Sequence, residues 1–171
     1  MGVARVRQET GRLNDALAKY TQVLQIQEKV LSCEHLETAK TYNNIGCVFG
    51  EQGKFVEELE MYEKSLALEI TVLGHDHLET AKTQENIAIV YMEQGKYPKA
   101  LELHEKVLAI KEKTLGREHL DTAGTYCNIG NTYQSMGDYE KAFEYYNKHL
   151  KIAEKVLGPV HPFVADTKVC A

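Results

Sequence analysis

Cysteine is sparse and irregular. Cys33, Cys47, Cys127 and Cys170 are scattered over 171 residues with no CxxC pair and no spacing that reads as a disulfide framework. That predicts free thiols and a reducing, cytoplasmic setting. Positive charge is also short: 20 Lys and Arg against 25 Asp and Glu leave a net charge of −5. Bulk electrostatics therefore give no support to a nucleic-acid or anionic-membrane partner. No apolar run approaches the ~20 residues that cross a bilayer, and residues 1–10 lack the apolar stretch of a secretory signal. There is no Asn-x-Ser/Thr sequon, no Gly-rich phosphate loop and no paired-carboxylate constellation. These absences argue against an enzyme and imply no cofactor or metal.

What the chain has is repetition. Gly11, Gly53, Gly95 and Gly137 recur every 42 residues, as do Leu31, Leu73, Leu115 and Leu157, and His35, His77, His119 and His161. Aligning 31–72 with 73–114 without gaps gives 21 identities in 42 positions. A fixed period of this size marks an array whose units cannot bury their apolar faces alone and must stack. The expected organisation is a single array over 1–171: a partial unit at 1–30, full units at 31–72, 73–114 and 115–156, and the opening of another at 157–171. Degraded apolar positions at both ends, with Arg7 where Phe49, Tyr91 and Tyr133 stand, read as those of a fragment.

Within one unit, Ala81, Ile87, Ala88, Val90 and Tyr91 fall at helical spacing. Gly95 fits a left-handed helix C-terminal stop, and a second helical pattern runs through Tyr97, Ala100, Leu101, His104, Leu108 and Ile110. Helix starts are predicted near Leu36, Leu78, Leu120 and Pro162. Gly46, Ala88 and Gly130 are expected to face Ala100 and Ala142, letting the paired axes approach. Ile45, Ile87, Ile129, Phe49, Tyr91, Tyr133, Leu66, Leu108 and Leu150 are expected to supply most of the buried area, at roughly 1.5–3 kcal/mol per side chain. Glu58 stands in the place of Ala100 and Ala142. Burying its carboxylate is costly, which predicts local loosening or a snorkelling side chain.

The strings Asn44-Ile45-Gly46-x-x-Phe49-x-x-x-Gly53-x-Phe55, Asn86-Ile87-Ala88-x-x-Tyr91-x-x-x-Gly95-x-Tyr97-x-x-Ala100 and the equivalent 128–142 resemble the tetratricopeptide repeat. The 42-residue period, with its Leu-Gly-x-x-His-x-x-Thr-Ala connector, is similar to the lengthened repeats of kinesin light chains and nephrocystin-type proteins. The resemblance implies an all-α fold, a right-handed α-α superhelix of antiparallel helix pairs whose first helices line a concave groove. It also implies a peptide-binding set of Lys40, Asn44, Lys82, Asn86, Asn128 and Asn131. An amide side chain both donates and accepts, so it can pair with a peptide backbone whatever the sequence, and Lys40 and Lys82 can hold a carboxylate. Gly124 stands where a third lysine would be. Glu51, Glu85 and Glu93 make the groove mixed in sign, so a ligand with both charges, or one read by backbone and apolar contact, fits better than a purely acidic one.

Other residues offer chemistry without geometry. The repeated histidines sit one period apart, in separate connectors, whereas zinc needs ligands converging on one ion, so a structural role at helix entry is expected. His75-x-His77 lacks a third ligand. His104-Glu105 begins a zincin-like string, but Leu108 replaces its second histidine, and alignment with Tyr62 and Tyr146 puts His104 in the core or at its edge. Cys47 and Cys127 have no base placed beside them and read as packing thiols. The Glu- and Lys-rich second helices read as solvated faces carrying pairs worth ~0.2–0.5 kcal/mol each. The function expected is a protein–protein interaction scaffold that binds a peptide, with motor–cargo adaptation implied by the resemblance. The alternatives are a self-associating spacer that stacks through open repeat ends and a regulatory module of a larger protein.

Overall fold

The computed structural model describes residues 2–30 and 35–158, with side chains from residue 11 onward, Glu28 excepted. Cys33, Cys170, His161 and Pro162 lie outside the described residues. Seven helices and no strand occur among the described residues: α1 (Gly2–Val30), α2 (Leu36–Glu51), α3 (Phe55–Leu73), α4 (Leu78–Glu93), α5 (Tyr97–Thr114), α6 (Leu120–Met136) and α7 (Tyr139–Leu157). They form two compact units, Met1–His75 and Asp76–Ala171. In the first, α2 packs on α3 and α1 leans on α2. In the second, α4 pairs with α5 and α6 with α7, while α5 packs on α6 and α4 also reaches it.

The connectors explain why the helices start where they do. His35, His77 and His119 are N-caps with extended backbone, and each imidazole Nδ1 accepts the N–H of Glu37, Glu79 or Asp121, two residues on, at 3.1–3.2 Å. That satisfies one of the orphan donors of the first turn and is the structural role at helix entry. The hairpin turns need a backbone that only glycine adopts cheaply, and Gly53, Gly95 and Gly137 have φ of 71°, 72° and 81°. Gly11 does not follow them. It stays inside α1, which runs unbroken from Gly2 to Val30. One period before Gly46 and Phe49 stand Ala4 and Arg7. One glycine within a helix costs only about 1 kcal/mol.

The cores of the three hairpins solve one packing problem in two ways. Gly46 faces the ring of Tyr62, where an added Cβ would come within 2.6 Å, and Gly130 faces Tyr146, where it would come within 2.7 Å. The expected small-on-small contact is thus chiefly glycine against tyrosine, although the Ala142 carbonyl lies 3.3 Å from a Cβ at Gly130. In the middle hairpin Ala88 takes the glycine's place and His104 the tyrosine's, and both are fully buried. The methyl occupies room that a phenol ring would need, and the smaller imidazole fits what remains. Ile45, Ile87 and Ile129 are buried as expected. Phe49, Tyr91, Tyr133, Leu66, Leu108 and Leu150 are only half-buried, and lysines lie over the aromatic rings: Lys54 over Phe49, Lys96 and Lys99 over Tyr91, Lys141 over Tyr133. Alanines, Val90, Val107 and the polar Thr80, Thr83, Thr122, Thr125 and Thr132 fill the core instead.

Glu58 neither loosens its hairpin nor snorkels. It is buried, and its carboxylate takes the space a side chain at Gly50 would fill, with Oε1 2.5 Å from the Cβ position there. Where Ala100 and Ala142 stand instead, the partner positions carry Met92 and Gln134. Tyr62 is pushed well above the usual phenol range, first by burial, then by its hydrogen bond to Cys47, with the Glu58 carboxylate adding to both.

Candidate peptide-binding groove

The second unit is organised around a charge that the repeat pattern hides. Glu85 on α4 and Lys111 on α5 form an ion pair at 2.7 Å, with side chains only 14 % and 10 % exposed. Lys111 Nζ also donates to Thr125 Oγ1 (2.9 Å) and to the Asp121 carbonyl (3.3 Å), while Thr125 Oγ1 donates to Glu85 Oε1 (2.8 Å). Asn128 Nδ2 completes the set by donating to the same oxygen at 3.1 Å. Desolvating two charges is costly, and their attraction offsets this only when the remaining donors and acceptors are also filled, as they are here. The network ties α4, α5 and α6 into one register.

Above it opens a groove of about 910 Å3. Leu78, Leu115, Leu120 and Tyr146 give it apolar walls, and Lys82, Glu79, Asp121, Asn128 and Asn131 give it polar groups. Lys82 is exposed on α4 and has no ion-pair partner among the described residues, unlike Lys40, its equivalent in the first unit, which pairs with Glu37 at 2.7 Å. Gly124, the equivalent of both lysines, lines the groove, and a Cβ built on it meets nothing within 4 Å. Asn131 Oδ1 accepts from the buried Tyr146 hydroxyl at 2.7 Å, which leaves its amide N–H2 for another partner. Asn128 is the converse: its N–H2 is committed to Glu85 and its Oδ1 is open.

Of the six residues singled out from sequence, Lys82, Asn128 and Asn131 therefore share this groove. Asn86 is half-buried on α4 and is not part of its lining, and Asn44 and Lys40 are exposed on α2 of the first unit. At Asn128 the donor side of the amide is already engaged, because the Glu85 carboxylate 43 residues earlier accepts from it. Lys111, Thr125 and Asp121 were missed. The available signal was the drift at equivalent positions 27, 69, 111 and 153, which read Gln, Glu, Lys and Ala. Sign reversal inside an otherwise repeated helix marks a position that is not simply solvated surface. Cys127 lines the groove half-buried, and Cys47 is exposed with Sγ 3.3 Å from the Tyr62 hydroxyl. No group of His, Cys, Asp and Glu able to hold a metal ion converges among the described residues, and none of their helices is long and apolar enough to cross a membrane.

The profile of the tetratricopeptide repeat family matches residues 1–69, 60–113, 79–155 and 121–168. The chain belongs to that family: an all-α repeat fold of the class that builds protein–protein interaction scaffolds and is generally non-catalytic. Its repeats are of the kinesin light chain type. The crystal structure of nearly identical TPR-like repeats from a Podosopora anserina protein assigned as a kinesin light chain is 28 % identical, with a TM-score of 0.77 over 97 % of this chain and 79 % of that one. BtubC (BKLC) from P. vanneervenii shares the fold at 24 % identity and a TM-score of 0.77, over 94 % of this chain and 63 % of its own. So does the apo form of RapI, at 21 % identity and a TM-score of 0.74, over 92 % and 42 %. No curated protein matches the chain significantly.

Proposed function

We propose that this protein is a scaffold whose second-unit groove receives an extended peptide. The peptide presents a carboxylate to Lys82, a backbone N–H to Asn128 Oδ1, a backbone carbonyl to the Asn131 amide, and an apolar side chain to Leu78, Leu115 and Leu120. Glu79 and Asp121 on the same lining favour a cationic residue elsewhere in that peptide. The observation that carries the reading is Gly124. A glycine within a helix costs about 0.5–1 kcal/mol relative to alanine, and here nothing among the described residues requires it, since a Cβ would meet none of them within 4 Å. Its bare backbone suits close approach by a ligand chain. The reading takes 1–171 as one array, with the unit boundaries given by the 42-residue period. The likeness to kinesin light chain-type repeats supports a cargo-adaptor role in the cytoplasm.

Gly124→Leu tests it, because the side chain fills the groove without meeting the core. The variant should keep its helicity and lose, by at least ~10-fold, the peptides that the native protein selects from an immobilised random-peptide array. Lys82→Glu should discard the acidic members of that set. Retention of the same peptides by both variants would refute the groove assignment.

A further inference from the structure

Cys127 and His149 share the floor of the second-unit groove. Both line it, Cys127 half-buried and His149 buried. His149 Nδ1 lies 2.9 Å from the Ala123 carbonyl. A carbonyl only accepts, so Nδ1 carries the hydrogen and Nε2 is the basic nitrogen of the neutral ring. Within α6 that same carbonyl is the acceptor for the backbone N–H of Cys127, four residues on, which brings the imidazole to the cysteine's own turn. The first unit shows the equivalent contact two periods earlier. There Ser65 Oγ donates to the Ala39 carbonyl at 2.8 Å and accepts from Asn43 Nδ2 at 2.8 Å, and Asn43 and Ser65 hold the places of Cys127 and His149. In the middle hairpin these places hold Glu85 and Val107. The sequence pattern set no base beside Cys127 because His149 arrives from another helix, α7.

We infer that Cys127, with His149 as its base, is a thiolation site that forms a mixed disulfide with a small disulfide bearing carboxylate and ammonium groups. The Cys127 thiol passes its proton to His149 Nε2, and the thiolate, which is the nucleophilic form, attacks one sulfur of the reagent. A bond forms between Cys127 Sγ and that sulfur as the reagent's own S–S bond breaks. The other half leaves as a thiolate and recovers the proton from His149. Cys127 is oxidised to the mixed disulfide while the displaced half is reduced to a thiol, so no further oxidant is needed. The groove supplies the selectivity. Lys82, exposed on its lining, takes a carboxylate, and the exposed Glu79 and Asp121 take an ammonium group. A volume of about 910 Å3 admits a reagent built from tripeptides. Cys47, the other thiol among the described residues, is more exposed but has the Tyr62 hydroxyl at 3.3 Å where Cys127 has an imidazole nearby. The inference goes beyond the peptide reading and does not depend on it, since thiolation requires no peptide in the groove.

The probe is glutathione disulfide, incubated with the intact chain alone, with adduct formation followed at each cysteine by mass spectrometry of proteolytic fragments. Cys127 should thiolate at least ~10-fold faster than Cys47, although Cys47 is the more exposed. His149→Ser gives the position the residue that serves at 65. It should keep helicity and bring Cys127 down to the rate of Cys47 or below. Lys82→Glu should slow glutathione disulfide at Cys127 and leave the rate with uncharged iodoacetamide as it was. A Cys127 no faster than Cys47 in the native chain, a comparison that needs no variant, overturns the inference. So does a His149→Ser chain that thiolates Cys127 at the native rate. An unchanged glutathione disulfide rate in Lys82→Glu overturns the assigned reagent class.

Discussion

The α2–α3 and α4–α5 hairpins align without gaps, yet their interiors are built differently. In the first, Asn43 Nδ2 donates to Ser65 Oγ (2.8 Å) and to Glu69 Oε1 (3.1 Å), Gly46 admits the Tyr62 ring, and Gly50 admits the Glu58 carboxylate. In the second, the same positions hold Glu85 with Val107 and Lys111, Ala88 with His104, and Met92 with Ala100. No single substitution converts one into the other, because each residue is acceptable only beside its own partner. Close packing makes volume and hydrogen-bonding capacity shared properties of a pair. The repeat preserves the pair's total and lets its members vary.

The comparison breaks hardest at the ion pair. Lys111→Met leaves the Glu85 carboxylate buried without its cation, and chemical denaturation should show a loss of about 3–5 kcal/mol. Adding Glu85→Leu should return most of that stability, and a double variant as unstable as the single one would show that the network does more than satisfy itself. Acid acts next. Burial holds the His104 imidazole down at about 4 from its usual 6.5, with the Glu85 charge opposing and the Lys111 charge assisting. The unfolded chain therefore takes up a proton near pH 6.5 that the folded protein refuses until about pH 4. This contribution to stability is complete above pH 6.5 and drains between the two values, by about 3 kcal/mol in all. Denaturation midpoints measured across that window should slope, and His104→Leu should flatten the slope. The α2–α3 hairpin, with Tyr62 at this place, has no matching contribution.

Steric exchange between the hairpins follows. His104→Tyr in the presence of Ala88 should cost about 1–3 kcal/mol through overpacking, and Ala88→Gly should relieve it. Measured as a double-variant cycle, the two changes should couple favourably; simple additivity would mean the glycine–tyrosine match is coincidental. The smallest effect has the opposite sign. Gly124→Ala should raise stability by about 0.5–1 kcal/mol, since the added methyl meets nothing and the helix gains propensity. A loss there would place an unseen neighbour in the groove.

Much of this was legible in the residues. The period placed the three full hairpins, the histidine caps and the glycine turns, because caps and turns are local and each depends on a few adjacent residues. Lys82, Asn128 and Asn131, singled out by their periodic positions, line one groove. Four features were not legible. Gly11 resembles its periodic equivalents, but a turn forms only when the two segments it joins can pack. Asn128 resembles Asn44 and Asn86, but its donor is taken by Glu85, 43 residues earlier. Lys111 resembles the solvated lysines around it, such as Lys106 paired with the exposed Glu102, yet five residues on, about 140° around the helix, it faces the opposite environment. Glu58 looked costly and is accommodated by Gly50, on the neighbouring helix.

The amino-acid order alone thus determined that this chain is a helical-repeat protein with hairpins of fixed length, because helix period, capping and glycine conformation act over a few residues at a time. Which side chains meet was decided only when α3 lay on α2, α5 on α4 and α7 on α6. Only then did Gly46 acquire a reason to be glycine and Lys111 a buried partner. Contact between residues distant in sequence depends on shape in three dimensions, and a one-dimensional period constrains that shape without specifying it.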